Sequence, residues 1–200
     1  FAFANLFVQS SVNSFDHVLV EGNSAAANAD PLVYDMMAAF YTACSSFIAQ
    51  NFGARKKKRI LQTYLICLFY SFITSLVLGV GIYLARYPFL YLFTSDKAVV
   101  EAGITRLSIM ALSYSASAFM DASIAASRGL GKTAVPTFVV VMGSCVFRII
   151  WIYTIFAYFH TIQSLYILYV FSWGITAIAE NIYFFHVYRH TLTGKTESHF

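Results

Sequence analysis

Charge is what this sequence has least of. Its 200 residues hold thirteen Lys and Arg and nine Asp and Glu, 11% in all, where a water-soluble domain carries about 25%. So few charges do not cover a soluble surface. Cysteine is scarce as well. Cys44, Cys67 and Cys145 are scattered, odd in number and set in or beside apolar runs, which excludes a disulfide framework and leaves them as small packing residues. CxxC and Cys/His metal spacings are absent. A phosphate-binding loop is missing too: Gly129-Leu130-Gly131-Lys132-Thr133 lacks the earlier glycine and a preceding strand, and reads as a tight turn. Nucleic acid finds neither a basic aromatic platform nor a recognition helix. Ser/His/Asp constellations do not assemble, because His17, His160 and His186 fall near helix ends and share no motif. That argues against a membrane-embedded enzyme such as an acyltransferase or protease, which stays an alternative only.

What the chain does have is apolar length. Hydrophobic residues make up 59%, in runs near the roughly 20 residues that cross a bilayer. The expected spans are 1–20, 32–50, 60–87, 107–127, 135–158 and 165–188. Open sheet edges do not face lipid, so the expected fold is all-α: a polytopic bundle of about six transmembrane helices. Residues 21–29, rich in Gly, Asn, Ser and Ala, read as a linker, and Asp30-Pro31 as a capped helix start. The opening Phe-Ala-Phe reads as the middle of a membrane helix, so sequence upstream of it is expected.

Basic residues give the orientation. Arg55 to Arg59, then Arg128 and Lys132, then Arg189 and Lys195 hold nine of the thirteen cations, all on alternate connections. By the positive-inside rule these connections and the C-terminus are cytoplasmic.

Polar residues inside spans are the functional candidates. Asn5, Gln9, Asn13 and Asp16 gather on one helical face; Gln9 and Asn13 read as cavity-lining, and Asp16 as cavity-lining or cation-coupling. Ser113, Ser117 and Asp121 repeat every four residues and form a second stripe, with Ser113 and Ser117 also read as cavity-lining. A carboxylate inside a span costs about 2.5–3.5 kcal/mol on insertion scales. Asp121 is therefore the first candidate for coupling, by proton exchange or transient Na⁺ coordination, with structural pairing to Arg148 or a serine as the other reading. Arg148 and Glu180 read as a structural ion pair. No resident metal or cofactor is implied. Met36, Met37 and the many aromatic residues would suit an aromatic cation, although such residues are more often core or lipid-facing.

Several stretches in order resemble the C-terminal half of the MATE family, the multidrug and toxic compound extrusion transporters. Val8 to Phe15 followed by Gly22 to Ala27 resembles that family's seventh helix and the turn beyond it. Ala49-Gln50-Asn51-Phe52-Gly53-Ala54 with the basic run resembles the turn after the eighth. Phe93-Thr94-Ser95-Asp96 resembles the turn before the tenth, and Ser127 to Thr133 the "RGxG" turn after it. Phe147 to Ile152 resembles the eleventh helix, and Ser172-Trp173 fits the twelfth. The DinF-like branch is the most similar. The resemblance implies the second of two six-helix lobes, a missing N-terminal lobe as partner, and export of small organic cations through the cell (inner) membrane in exchange for H⁺ or Na⁺. Asp121 matches an acid of the tenth helix, whereas Asp16 and Glu21 depart from the seventh-helix pattern. A lipid-linked precursor flippase shares the architecture and is the related alternative; a non-transporting scaffold follows if 200 residues are the whole protein.

Overall fold

The computed structural model describes residues 2–191, with side chains from residue 4 onward. Phe1, the Phe3 side chain and the tail with Lys195 lie outside the described residues. Among the described residues no strand occurs. The elements are α1 (Ala2–Val12), α2 (His17–Ala27), α3 (Ala29–Gly53), α4 (Lys57–Leu84), α5 (Arg86–Tyr91) and α6 (Lys97–Gly129). They are followed by α7 (Ala134–Phe159) and α8 (Ile162–His190). Among the described residues, five helical segments are long and apolar enough to cross a membrane: α2 with α3, then α4, α6, α7 and α8.

The expected first span is not one helix. It stops at Val12, and Asp16 then caps α2, its carboxylate accepting the Leu19 N–H at 2.8 Å. A short polar side chain that bonds the backbone locally competes with helix continuation, and here it starts a new helix. The expected linker is helical as well. Its small residues serve contact rather than freedom: a Cβ on Gly22 would lie 2.7 Å from Ala102 Cβ and 2.8 Å from the Val99 carbonyl oxygen. The break falls at Asn28, three residues before Pro31, whose ring has no N–H to continue the ladder.

Helix α6 is the central element, about 50 Å long by its 33 residues, and it begins ten residues earlier than the span expected at 107. Small residues let neighbours approach its backbone. A Cβ on Gly79 of α4 would sit 2.1 Å from the Ala111 carbonyl oxygen, and one on Gly129 2.7 Å from the Ser45 carbonyl oxygen of α3. The helix ends in a Schellman turn: Lys132 N–H reaches the Ser127 carbonyl and Gly131 N–H the Arg128 carbonyl. Gly131 takes φ 76°, where a side chain would be strained.

Helix α7 carries two π-helical turns, Met142–Val146 and Ile152–Phe156, on either side of Arg148. At the first, Gly143 packs against Thr176 of α8, and its carbonyl accepts the Ser172 hydroxyl at 2.9 Å. A π turn widens the ladder, and the neighbouring helix supplies the bond.

Candidate functional site

Helices α1, α2, α3, α6, α7 and α8 line a cleft made of two adjoining cavities that share Asn5, Asp30 and Tyr169. The smaller, about 180 Å³, also exposes Gln9, Asn23, Arg106 and Tyr166. The larger, about 340 Å³, reaches Tyr34, Met110, Met120, Asp121, Arg148 and Trp173. Arg106 and Asp121 are fifteen residues apart on α6, about 22 Å along its axis, so the cleft follows that helix for much of a bilayer's thickness.

At the Arg106 end lies a polar cluster. Arg106 is buried and donates to Asp30 Oδ2 at 2.6 Å and to Asn23 Oδ1 at 2.7 Å. Tyr114 Oη donates to the other carboxylate oxygen of Asp30. Asp30 therefore serves tertiary structure rather than the helix cap expected of it. In sequence Asp30 and Arg106 are separated by 76 positions, and no local pattern connects them.

In the middle stands Arg148. Its guanidinium donates to Ser172 Oγ at 3.2 Å and Asn5 Oδ1 at 3.0 Å, and lies 4.4 Å from the Tyr169 ring centroid. The expected pair with Glu180 is not formed. Ser172 fixes the level of Arg148, and Glu180 is eight residues further along α8, about 12 Å away. Glu180 is fully buried, and neither of its oxygens has a hydrogen-bond partner among the described residues. Arg128 is near enough to attract it but is committed to Tyr41 Oη at 2.8 Å and Thr137.

At the far end is Asp121, half-buried, lining the larger cavity with no hydrogen bond or ion pair among the described residues. The wall above it is aromatic. Tyr34 meets Tyr114 and Trp173 edge-on at 6.0 and 6.1 Å, and Tyr169 meets Trp173 at 5.6 Å. Met110 and Met120 complete it with polarisable, adaptable side chains. A carboxylate beside electron-rich ring faces is a chemical environment for a flat organic cation.

The other polar residues singled out from sequence sit elsewhere. Asp16 is an exposed helix cap outside both cavities. Gln9 lines the smaller cavity and donates to Asn13, which does not line it. Ser113 and Ser117 are buried and return their hydroxyls to the carbonyls of Ile109 and Tyr114, at 2.6 and 2.8 Å. They line neither cavity. Their smallness admits neighbours, and their own helix satisfies their polarity.

Comparison with known proteins agrees with this architecture. The model of the family described as MatE matches residues 1–154. Among solved structures, the chain is similar to the Vibrio cholerae MATE transporter VcmN in its bent form, with a TM-score of 0.84 at 18% identity over 95% of this chain. A mutant of the same transporter gives the same TM-score and identity over 94%. The chain spans 43% of the length of each of those structures. No curated protein matches it in sequence.

Proposed function

The chain belongs to the MatE family, whose members are transporters rather than enzymes, and on that premise we propose that it forms the C-terminal lobe of a two-lobe exporter of small organic cations driven by inward H⁺ or Na⁺. The DinF-like branch is the branch it resembles most. The membrane is the cell (inner) membrane, and the C-terminus faces the cytoplasm. One observation carries the reading: Asp121 presents an unpartnered carboxylate to a cavity walled by Tyr34, Tyr169 and Trp173. A carboxylate inside a membrane span is expensive, and an exchangeable cation compensates it. Organic substrate and coupling ion then compete for the same negative charge, which is the requirement of antiport. The membrane potential assists, since one charge crossing 100 mV is worth about 2.3 kcal/mol.

The test is ethidium efflux from cells that carry the full-length protein. Asp121→Asn removes the charge at constant shape and is expected to abolish the dependence of efflux on an imposed pH or sodium gradient. Efflux that keeps its gradient dependence in this variant overturns the coupling role. A lipid-linked precursor flippase is the second reading. What favours it is Arg148, a cation inside the cleft that is paired with neutral groups only, because an anionic pyrophosphate would seek such a charge.

A further inference from the structure

Away from the cleft, a groove of about 500 Å³ opens between the C-terminal turns of α3 and the N-terminal turns of α4. The chain reverses there over Ala54, Arg55 and Lys56, with Arg55 at φ 55°. Lys56 and Arg59 line the groove with Gln50, Asn51, Gln62 and Thr63. Neither cation has a carboxylate partner among the described residues. Lys57, by contrast, turns away, to the Arg189 carbonyl at 2.9 Å and the Tyr188 ring. Asn51 spends its amide on the Phe47 carbonyl and Thr63, whereas the Gln62 amide makes no hydrogen bond among the described residues.

Deeper along both helices the lining changes character. Phe47 and Ile66 close the groove, 54% and 56% exposed. Ile66 lies seven residues beyond Arg59, about 10 Å further into the membrane, and continues into Leu65, Phe69 and Tyr70, all exposed on α4. One end thus offers two unpaired cations and amide donors at the membrane surface, and the other an apolar track along the helices. An inorganic or small organic phosphate would use only the first end.

We infer that this groove binds one anionic phospholipid, with its phosphate between Lys56 and Arg59 and an acyl chain along Phe47 and Ile66. Charge complementarity selects an anionic headgroup, because the turn carries five cations and no acid. Continuity with the lipid-facing side of α4 selects a lipid over a soluble anion.

Native mass spectrometry of the full-length protein in neutral detergent tests this, with phosphatidylglycerol and phosphatidylcholine titrated separately. The groove variant K56Q/R59Q is compared with R55Q/K58Q, which removes the same charge from the same turn outside the groove. One tight phosphatidylglycerol site is expected. Its dissociation constant should rise about thirtyfold in K56Q/R59Q, taking about 1 kcal/mol for each direct contact to the phosphate that is lost, and stay within about threefold in R55Q/K58Q, which makes no such contact. Gln62→Glu places a carboxylate in the groove without touching the basic run and should weaken the site in the same direction. Equal losses from the two double variants would reduce the effect to general surface charge and overturn the inference. So would equal affinity for phosphatidylcholine, or displacement of the lipid by millimolar glycerol 3-phosphate, which would assign the groove to a soluble phosphate.

Discussion

The acids inside the bundle show how differently a carboxylate is used. Asp30 satisfies each of its oxygens, with Arg106 and Tyr114, so its removal leaves a guanidinium buried with Asn23 as its remaining bonded partner. Breaking a buried pair from one side costs about 3–5 kcal/mol. Asp30→Asn is therefore expected to lower stability by about 3 kcal/mol, seen as a clear fall in the thermal unfolding midpoint of the detergent-solubilised protein. An unchanged midpoint would mean that Asn23 and Tyr166 suffice for Arg106. Glu180 is the opposite case: fully buried, with both oxygens unpartnered among the described residues. An apolar side chain of similar volume should relieve that cost, so Glu180→Met is expected to raise stability by about 1 kcal/mol. A fall in the midpoint would show that the carboxyl has a structural partner. Of these acids, the sequence marks Asp121 and Glu180 because each stands alone in an apolar run. It hides Asp30, which sits beside a proline in a place that reads as a helix start.

Among the helices, glycine position decides which pairs touch. Gly79 and Gly81 are neighbours on α4 with different surroundings. A Cβ at Gly79 meets the Ala111 carbonyl oxygen at 2.1 Å, whereas one at Gly81 meets nothing within 4 Å. Backbone cannot yield as a side-chain tip can, so Gly79→Ala must separate α4 from α6. The expected cost is about 3 kcal/mol, with Gly81→Ala neutral or slightly stabilising through helix propensity. Comparing the unfolding midpoints of the two variants checks the contact, and equal midpoints would refute it. The same logic explains what was legible in the elements. Apolar length without charge marks helices, and α4, α7 and α8 cover the runs 60–87, 135–158 and 165–188 to within a few residues. The segment 21–29 misleads, because Gly22 and its alanines have the composition of a linker while their smallness fits the face of α6. The end of α1 misleads as well, because Asp16 has the spacing of a polar stripe and the chemistry of a cap.

For the whole molecule, the alternation of basic and neutral connections is a statement about sides. Helix connectivity places Arg55 to Arg59, the Arg128 to Lys132 turn and the end of α8 at one membrane surface, and the turns near Ser95 and Thr161 at the other. The long-range parts of the site were not legible at this scale: the Arg148 contacts to Asn5 and Ser172 depend on the depth at which α1, α7 and α8 meet, and composition carries no depth. The proposed sidedness rests on charge alone, because cytoplasmic loops retain Lys and Arg. In a full-length protein with Cys44, Cys67 and Cys145 replaced by serine, single cysteines at the exposed Lys58 and Lys132 should react with a membrane-impermeant maleimide only in inside-out vesicles. Cysteines at Ser95 and Gln163 should react only in intact cells. Lys58 and Gln163 labelled from one side would break the five-span topology. A uniform inversion of all four would keep the topology and reverse its direction, so the cleft end that holds Asp121, seven residues before Arg128, would then face outward and receive the driving ion first.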